Sequence, residues 1–301
     1  MPEMPEMPGI PGIPGIPGSS DTKSRIRLAV RHVSTLHQGK PPQGTNGYDH
    51  RMSERPQVLA IGSCRVFRPL RPHHTDGAIN LLNYLSHQWF THSVMGGQQF
   101  VEAITGRRDI PQTLRPLVCE TALPLPSDLS GAEVFEPEVI FFEVSSLKVY
   151  ASDDIALNAH LLRSAMVKAG IDAVAGMRDP SAVDLASGGI PDVSLRPSSS
   201  EDFANAIHTV QRTFDAPIVL VNHLHALSAD GTTQLSGRAE ITEELSRTAD
   251  QDPRLAFFDT HDIIEELGVA QALQDPQHYL PDAERAVGAR LLAAAQSLLR
   301  P

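Results

Sequence analysis

Two cysteines in 301 residues, Cys64 and Cys119, are too few for a disulfide framework. No bridge between them is expected, and a reducing cytoplasm is the simpler setting. Positive charge is also short: 25 Lys and Arg face 36 Asp and Glu, for a formal net charge of -11. No basic stripe is left to neutralise a nucleic-acid backbone or to hold an anionic membrane surface. No run approaches the roughly 18 apolar residues that span a bilayer, and the first residues lack the basic start and apolar run of a secretory signal. Cys-x-x-Cys, His-Glu-x-x-His and a glycine-rich phosphate loop are all missing, so neither a metal nor a bound cofactor is expected. The single tryptophan, Trp89, is read as core or as an anchor at a sheet edge.

Proline and glycine, by contrast, are concentrated at the start. Residues 1–20 repeat Met-Pro-Glu and then Pro-Gly-Ile, a composition that cannot bury a core and reads as an extended arm. Three or four triplets are too few for a collagen helix. From Ser24 to Leu36 the spacing of Ile26, Ala29, Val30 and Val33 suits either a short docking helix or a partly ordered leader. The chain therefore divides into an arm over residues 1–50 and one ordered domain over 56–301.

Within that domain, uninterrupted apolar runs at Val58 to Ile61, Val139 to Val144, Ile218 to Val221 and Leu255 to Phe258 suit strands buried on both faces. A weaker strand is expected at Trp89 to Met95. Helical spacing fills the intervals, at Ala78 to Phe90, Ile155 to Lys168, Phe203 to Thr213, Ile241 to Thr248 and Ala283 to Leu299. Such alternation predicts a three-layer α/β/α protein with a parallel sheet. The Pro/Gly/Ser-rich segment from Arg178 to Asp202 is expected to be a lid or a floppy insertion.

Chemistry-bearing residues cluster at the expected carboxyl ends of the strands. Gly62-Ser63-Cys64 follows the first strand, where a glycine turn can expose a nucleophile. Asp275-Pro276-Gln277-His278 precedes the last helix, and its carboxylate can fix the tautomer of the imidazole. Between them lie Met95-Gly96-Gly97 and Glu143-Val144-Ser145-Ser146.

This order resembles the SGNH (GDSL-like) hydrolase superfamily, whose blocks are a Gly-Asp-Ser turn, a glycine, a Gly-x-Asn-Asp turn and a terminal Asp-x-x-His. The resemblance covers about residues 56 to 300 and implies a flavodoxin-like fold. Laid over the first block, Cys64 takes the nucleophile position, as in the GSCFA and capsule-biosynthesis acyltransferase-like branches, with Ser63 the alternative if the register is off by one. The family glycine falls on Gly96 or Gly97. Ser145 stands where the oxyanion-hole asparagine usually is, with Ser146 next to it. Asp275 and His278 match residue by residue.

The resemblance thus implies an acyltransferase, or an ester or thioester hydrolase, working through an acyl-Cys64 intermediate. His278 would be its general acid and base, and Asp275 would orient the ring. The backbone N–H of Cys64, a glycine N–H at 96 or 97 and the Ser145 hydroxyl would face the oxyanion. Small-molecule acyl donor and acceptor are the implied partners, with acyl-CoA or an acyl carrier protein suggested by the acyltransferase-like branch alone. The missing family asparagine and aspartate leave a second reading open, a carbohydrate- or partner-binding module on a degenerate scaffold. A flavodoxin-like nucleotide binder is disfavoured because no phosphate loop follows the first strand.

Other residues carry weaker signals. Arg65 and Arg68 can pair with an anionic substrate group or be ordinary surface charge. Asn222, His223 and His225 can line a pocket, act structurally or, least in keeping with their spacing, ligate a metal. His73 and His74 read as a solvated loop, His261 as a site rim or a helix start, and Lys148 and Tyr150 as residues near the opening.

Overall fold

A computed structural model describes residues 55–84, 89–119, 136–224, 238–275 and 277–299. The expected arm at 1–50, the Ser24 to Leu36 segment and His225 lie outside them.

The chain runs through β1 (Gln57–Ile61), α1 (Cys64–Thr75), β2 (Asn80–Leu81), α2 (Val94–Ile104) and α3 (Arg115–Val118). Next come β3 (Val139–Val144), β4 (Lys148–Ser152), β5 (Ile155–Leu157), α4 (Ala159–Lys168), α5 (Ala173–Arg178), β6 (Ser194–Pro197) and α6 (Ser200–Phe214). It ends with β7 (Ile218–Asn222), α7 (Ala239–Ala249), β8 (Leu255–Phe258), α8 (Thr260–Leu267), α9 (Val269–Ala272), β9 (Leu273–Asp275), β10 (His278–Tyr279) and α10 (Pro281–Leu299).

The main sheet has the order β2-β1-β3-β7-β8 with every pairing parallel. Numbered within that sheet the order is 2-1-3-4-5, the flavodoxin-like arrangement, whose connections reverse direction between β1 and β3. A crevice opens at such a switch point, outside the carboxyl ends of the strands.

The strands read as continuous apolar runs because both faces are covered. Leu59, Ile61, Ile140, Phe142, Ile218 and Leu220 join a core with α2, α6 and α7, through Phe100, Phe203 and Leu245 among others. Their strand neighbours Val58, Ala60, Val139, Phe141, Val219 and Val221 join a second core with α1, α8 and α10, through Phe67, Ile264 and Leu291. The period of two thus feeds two helical layers. Each fully buried Leu, Ile or Phe contributes about 1.5–3 kcal/mol of transfer free energy.

Five expectations need correction, the first being the helix over Ile155 to Lys168: Ile155–Leu157 pair with β4 as β5, and the helix starts only after the Asn158 cap. The helix expected from Ala78 to Phe90 is not found over its described residues 78–84, where Asn80 and Leu81 pair with Gln57 and Val58 as an edge strand. The weak strand at Trp89 to Met95 is instead a loop leading into α2, which starts at Val94. Trp89 is core, in edge contact with Phe100 at 5.5 Å between ring centroids. The segment expected as a lid or a floppy insertion, residues 178–202, contains β6, which pairs antiparallel with β4 in a second sheet of order β5-β4-β6. Pro180, Leu185 and Ile190 are buried there, which gives this stretch a packed underside. Finally, His73 and His74 belong to the last turn of α1, despite Pro69 and Pro72 within the helix. His74 Nδ1 accepts the Leu81 N–H at 3.1 Å and its ring lies against Tyr84.

Candidate functional site

The turn after β1 is forced by a carboxylate. Gly62 has φ +147°, and a Cβ there would lie 2.7 Å from Glu143 Cβ and 2.8 Å from Glu143 Oε2. Only glycine fits that approach. Ser63 follows as the N-cap of α1, its hydroxyl accepting the Arg65 N–H at 3.4 Å, and it is 1% exposed. Cys64 is then the first helical residue and is half-buried. Of the two candidate nucleophiles, Ser63 is thus enclosed by its capping role, whereas Cys64 sits at a helix N-terminus, where the positive end of the dipole favours a thiolate.

Glu143, the penultimate residue of β3, is wholly buried and holds this turn from the neighbouring strand. Its Oε2 accepts the Ser63 N–H at 2.5 Å, and its Oε1 accepts Arg65 Nε–H at 3.1 Å. Arg65 is itself sealed, with its side chain 9% exposed, and its Nη1 donates to the Gln277 carbonyl at 3.3 Å. One arginine therefore links the nucleophile turn, the central strand and the loop that carries His278. A second tie between these regions is the ion pair of Arg68 Nε with Glu284 Oε1 at 2.6 Å, between α1 and α10.

The Asp275–His278 pair is locally built. Asp275 Oδ1 accepts the Gln277 N–H at 2.7 Å, which closes the turn, and His278 Nδ1 lies 3.0 and 2.9 Å from the two carboxylate oxygens. The bond to His278, reinforced by the Gln277 amide, holds the Asp275 carboxyl below the usual carboxylate range. An ionised carboxylate only accepts, so Nδ1 carries the proton and Nε2 of the neutral ring is left as an acceptor. Tyr279, 2% exposed, anchors the short strand that presents the ring.

Burial pushes the Cys64 thiol up; Arg65 opposes this and Glu143 adds to it. Two further imidazoles feel the charge of Arg65. His223, at the end of β7, is 3% exposed and donates Nδ1–H to the Leu224 carbonyl at 3.0 Å. Burial and then the charges of Arg65 and Arg238 depress it to about 3. His92 is likewise depressed to about 3, by burial first and then by Arg65, His160 and Arg238. Both rings are therefore neutral near pH 7.

These two histidines make stability acid-sensitive. In the unfolded chain they titrate near 6.5 and take up protons that the folded state refuses, so stability is complete above that value and falls as pH drops toward 3. Lowering the pH from 7.5 to 5.5 is expected to cost about 1.4 kcal/mol per histidine. Urea midpoints measured at the two pH values check this, and replacing His223 with Gln should remove its share of the difference.

The remaining sequence-derived residues divide. The N–H groups of Gly96 and Gly97 lie in the first turn of α2 and donate to the Ser93 hydroxyl at 3.2 Å and the Ser93 carbonyl at 3.1 Å. They are engaged in capping rather than turned toward an oxyanion. A Cβ on Gly97 would meet the Phe142 ring at 2.2 Å, so that glycine serves helix-to-sheet packing. Asn222 is saturated: Nδ2 donates to Thr242 Oγ1 and Asp259 Oδ1, each at 2.8 Å, and Oδ1 accepts the Thr260 N–H at 2.8 Å. It braces the start of α7 and α8 against β7.

Ser145 and Ser146 both donate their N–H to the His92 carbonyl at 2.8 Å. The Ser145 hydroxyl donates to that carbonyl at 3.3 Å and lies 3.1 Å from His92 Nδ1. Gly96, Ser146, His92 and Lys148 line one narrow cleft with Thr91 and Asn158. Among the described residues, the buried Thr91 hydroxyl in that cleft has no hydrogen-bond partner. His261 is a helix-start residue, its N–H bound by the Asp259 cap of α8. No cluster of three or more His, Cys, Asp or Glu able to hold a metal occurs among the described residues. Neither Cys64 nor Cys119 is in a disulfide.

Sequence reasoning passed over Glu143, His92 and Arg238. A signal for Glu143 was present, because a lone carboxylate inside a run as apolar as Val139 to Val144 must be paired when that run is buried. His92 and Arg238 carried none.

Fold and site together define a doubly wound α/β protein with a helix-capped cysteine at the topological switch point. The chain belongs to the TviD N-terminal domain family, whose model matches residues 56–183 and 189–294. Neither the curated proteins nor the solved structures include a match. No helix among the described residues is long and apolar enough to cross a membrane.

Proposed function

We propose that this chain is an SGNH-like acyl-transfer enzyme, acting in the cytoplasm on a small-molecule acyl donor and acceptor through an acyl-Cys64 intermediate. The observation that carries this reading is the Arg65 bond to the Gln277 carbonyl at 3.3 Å, which ties the loop of the Asp275–His278 pair to the turn bearing Cys64. In the mechanism, Nε2 of neutral His278 accepts the thiol proton as sulfur attacks the acyl carbonyl. The tetrahedral oxyanion collapses and expels the leaving group, which takes the proton back from His278. His278 then removes a proton from the incoming alcohol, amine or water as it attacks the thioester, releasing the Cys64 thiolate for reprotonation. Asp275 stabilises the imidazolium in both halves.

Acyl-enzyme trapping tests the reading. Mass spectrometry after incubation with a p-nitrophenyl or thioester acyl donor should show a label in the wild type and in Ser63→Ala, and none in Cys64→Ala. Ser63→Ala should also lose about 1 kcal/mol of stability with its cap. A label lost only in Ser63→Ala would move the nucleophile one residue back.

A second reading, a binding module on a degenerate scaffold, is favoured by two observations. The thiol is raised by its burial, and the side chains or amides of Gly96, Gly97, Ser145 and Asn222 already have partners. Iodoacetamide discriminates between the two: an activated Cys64 alkylates faster than a model thiol at neutral pH, whereas a structural one does not.

A further inference from the structure

The charges gathered around Glu143 do not balance. Glu143 accepts from the Ser63 N–H and from Arg65 Nε, and it is the acidic group whose charge acts on Arg238 together with that of Arg65. His92 and His223, on which the charges of both arginines act, are neutral and offer no counter-charge. Among the described residues Arg65, Arg238 and Glu143 together leave one positive charge without a counter-charge in a partly desolvated place, an arrangement that is costly unless an anion joins it.

Arg238 is the group left over. It stands at the N-cap position of α7, half-buried, with no hydrogen bond or ion pair to its guanidinium among the described residues. The first turn of α7 is fixed against the end of β7 by the bond from Asn222 Nδ2 to Thr242 Oγ1 at 2.8 Å. That contact holds Arg238 at the carboxyl edge of the sheet, where Cys64 also lies. Arg65 has two donors engaged, Nε on Glu143 and Nη1 on Gln277, while Nη2 has no partner among the described residues. The charges acting on Cys64 are those of Arg65, Glu143 and Arg68, whereas Arg238 acts on His92 and His223, which sets Arg238 on the histidine side of the crevice.

We propose that Arg238, with the outer edge of Arg65, forms an oxyanion-binding subsite beside Cys64 that takes a carboxylate or phosphate group. Guanidinium is suited to this because its planar fork matches both groups in two-point geometry. Calling the bound group part of a substrate rests on the acyl-transfer reading; the binding itself does not. A phosphate would belong to the acyl donor and a carboxylate to the acceptor.

Calorimetric titration of the full chain with inorganic phosphate and, separately, with citrate tests the proposal at an ionic strength held constant with chloride. The wild type should bind at least one of the two, and the preferred probe assigns the source. Arg238→Gln should weaken binding about tenfold or more, and Arg238→Lys less, since it keeps the charge but loses the fork. Arg254→Gln, a change to an exposed arginine paired with Asp215, should bind as the wild type does. Should Arg238→Gln fail to fold, the wild-type titration and Arg238→Lys decide. Wild-type protein that binds neither probe, or Arg238 variants that bind as well as wild type, would overturn the subsite. Anion binding by a wild-type protein in which Cys64 never takes up an acyl label would keep the subsite and remove the acyl-transfer reading.

Discussion

Replacing His278 with alanine is expected to slow acyl-enzyme formation by about 100- to 10,000-fold, the usual contribution of a positioned general base. The fold should be nearly indifferent to the change. His278 is more than a third exposed, its partner Asp275 is more exposed still, and an ion pair in that setting contributes little to stability. The measurement is single-turnover labelling of Cys64 in the variant beside its urea midpoint. A fall in rate with an unmoved midpoint assigns the ring to chemistry. A rate within threefold of wild type would remove His278 from the mechanism, and Cys64 would then need another base. Asp275→Asn should fall between the two, because the ring would keep a neighbour that can bond it but lose the charge that fixes its tautomer.

Glu143→Ala should have the opposite signature, a large loss of stability together with a more reactive thiol. The carboxylate is completely buried and satisfies both the Ser63 N–H and the nearly sealed guanidinium of Arg65. Removing it strands a buried cation and a backbone donor, for which about 3–5 kcal/mol is expected. Glu143→Gln keeps an acceptor for Ser63 but turns donors toward Arg65, so it should recover only part of the loss. Urea unfolding with an unchanged slope checks the magnitude. The sign at sulfur also follows: Glu143 raises the Cys64 thiol and Arg65 lowers it, so without Glu143 the native fraction should alkylate faster near pH 7. Slower alkylation of folded variant protein would mean that the turn had moved the thiol out of reach.

Much of the architecture was legible before any coordinates. The runs Val139 to Val144 and Leu255 to Phe258 are strands with those same limits, because each is a short stretch dominated by apolar, β-branched or aromatic residues and bounded by turn or polar residues. Helices α6, α7 and α10 each lie within three residues of their expected bounds, because their apolar stripes keep the helical period against one sheet face. Failures fell where tertiary contact overrides local pattern. Asn80 and Leu81 have helical-looking neighbours but are strand because β1 offers them a ladder. Ile155–Leu157 was assigned to a helix and instead pairs with β4, the helix starting only after the Asn158 cap.

The site divides along the same line. The turn at Gly62, the cap at Ser63 and the Asp275–His278 contact are all set by groups within three residues of one another, apart from the Glu143 that crowds Gly62; the sequence marked the turn and the pair but read Ser63 as an alternative nucleophile rather than as a cap. The glycines at 96 and 97 were marked as well, but for a task their amides do not perform, since a capped helix begins where a strand was expected.

From the chain alone come the layered α/β class, the alternation of strand and helix, and the two short motifs that carry a thiol and an imidazole, because periodicity and turn chemistry act over a few residues. The folded molecule decides that the loop carrying His278 is tied through Arg65 to the turn carrying Cys64, that a carboxylate 80 residues from Ser63 grips its amide, and that the Arg238 guanidinium has no hydrogen bond among the described residues. Burial and charge pairing between distant segments exist only once the strands are laid side by side, and no local pattern of residues encodes them.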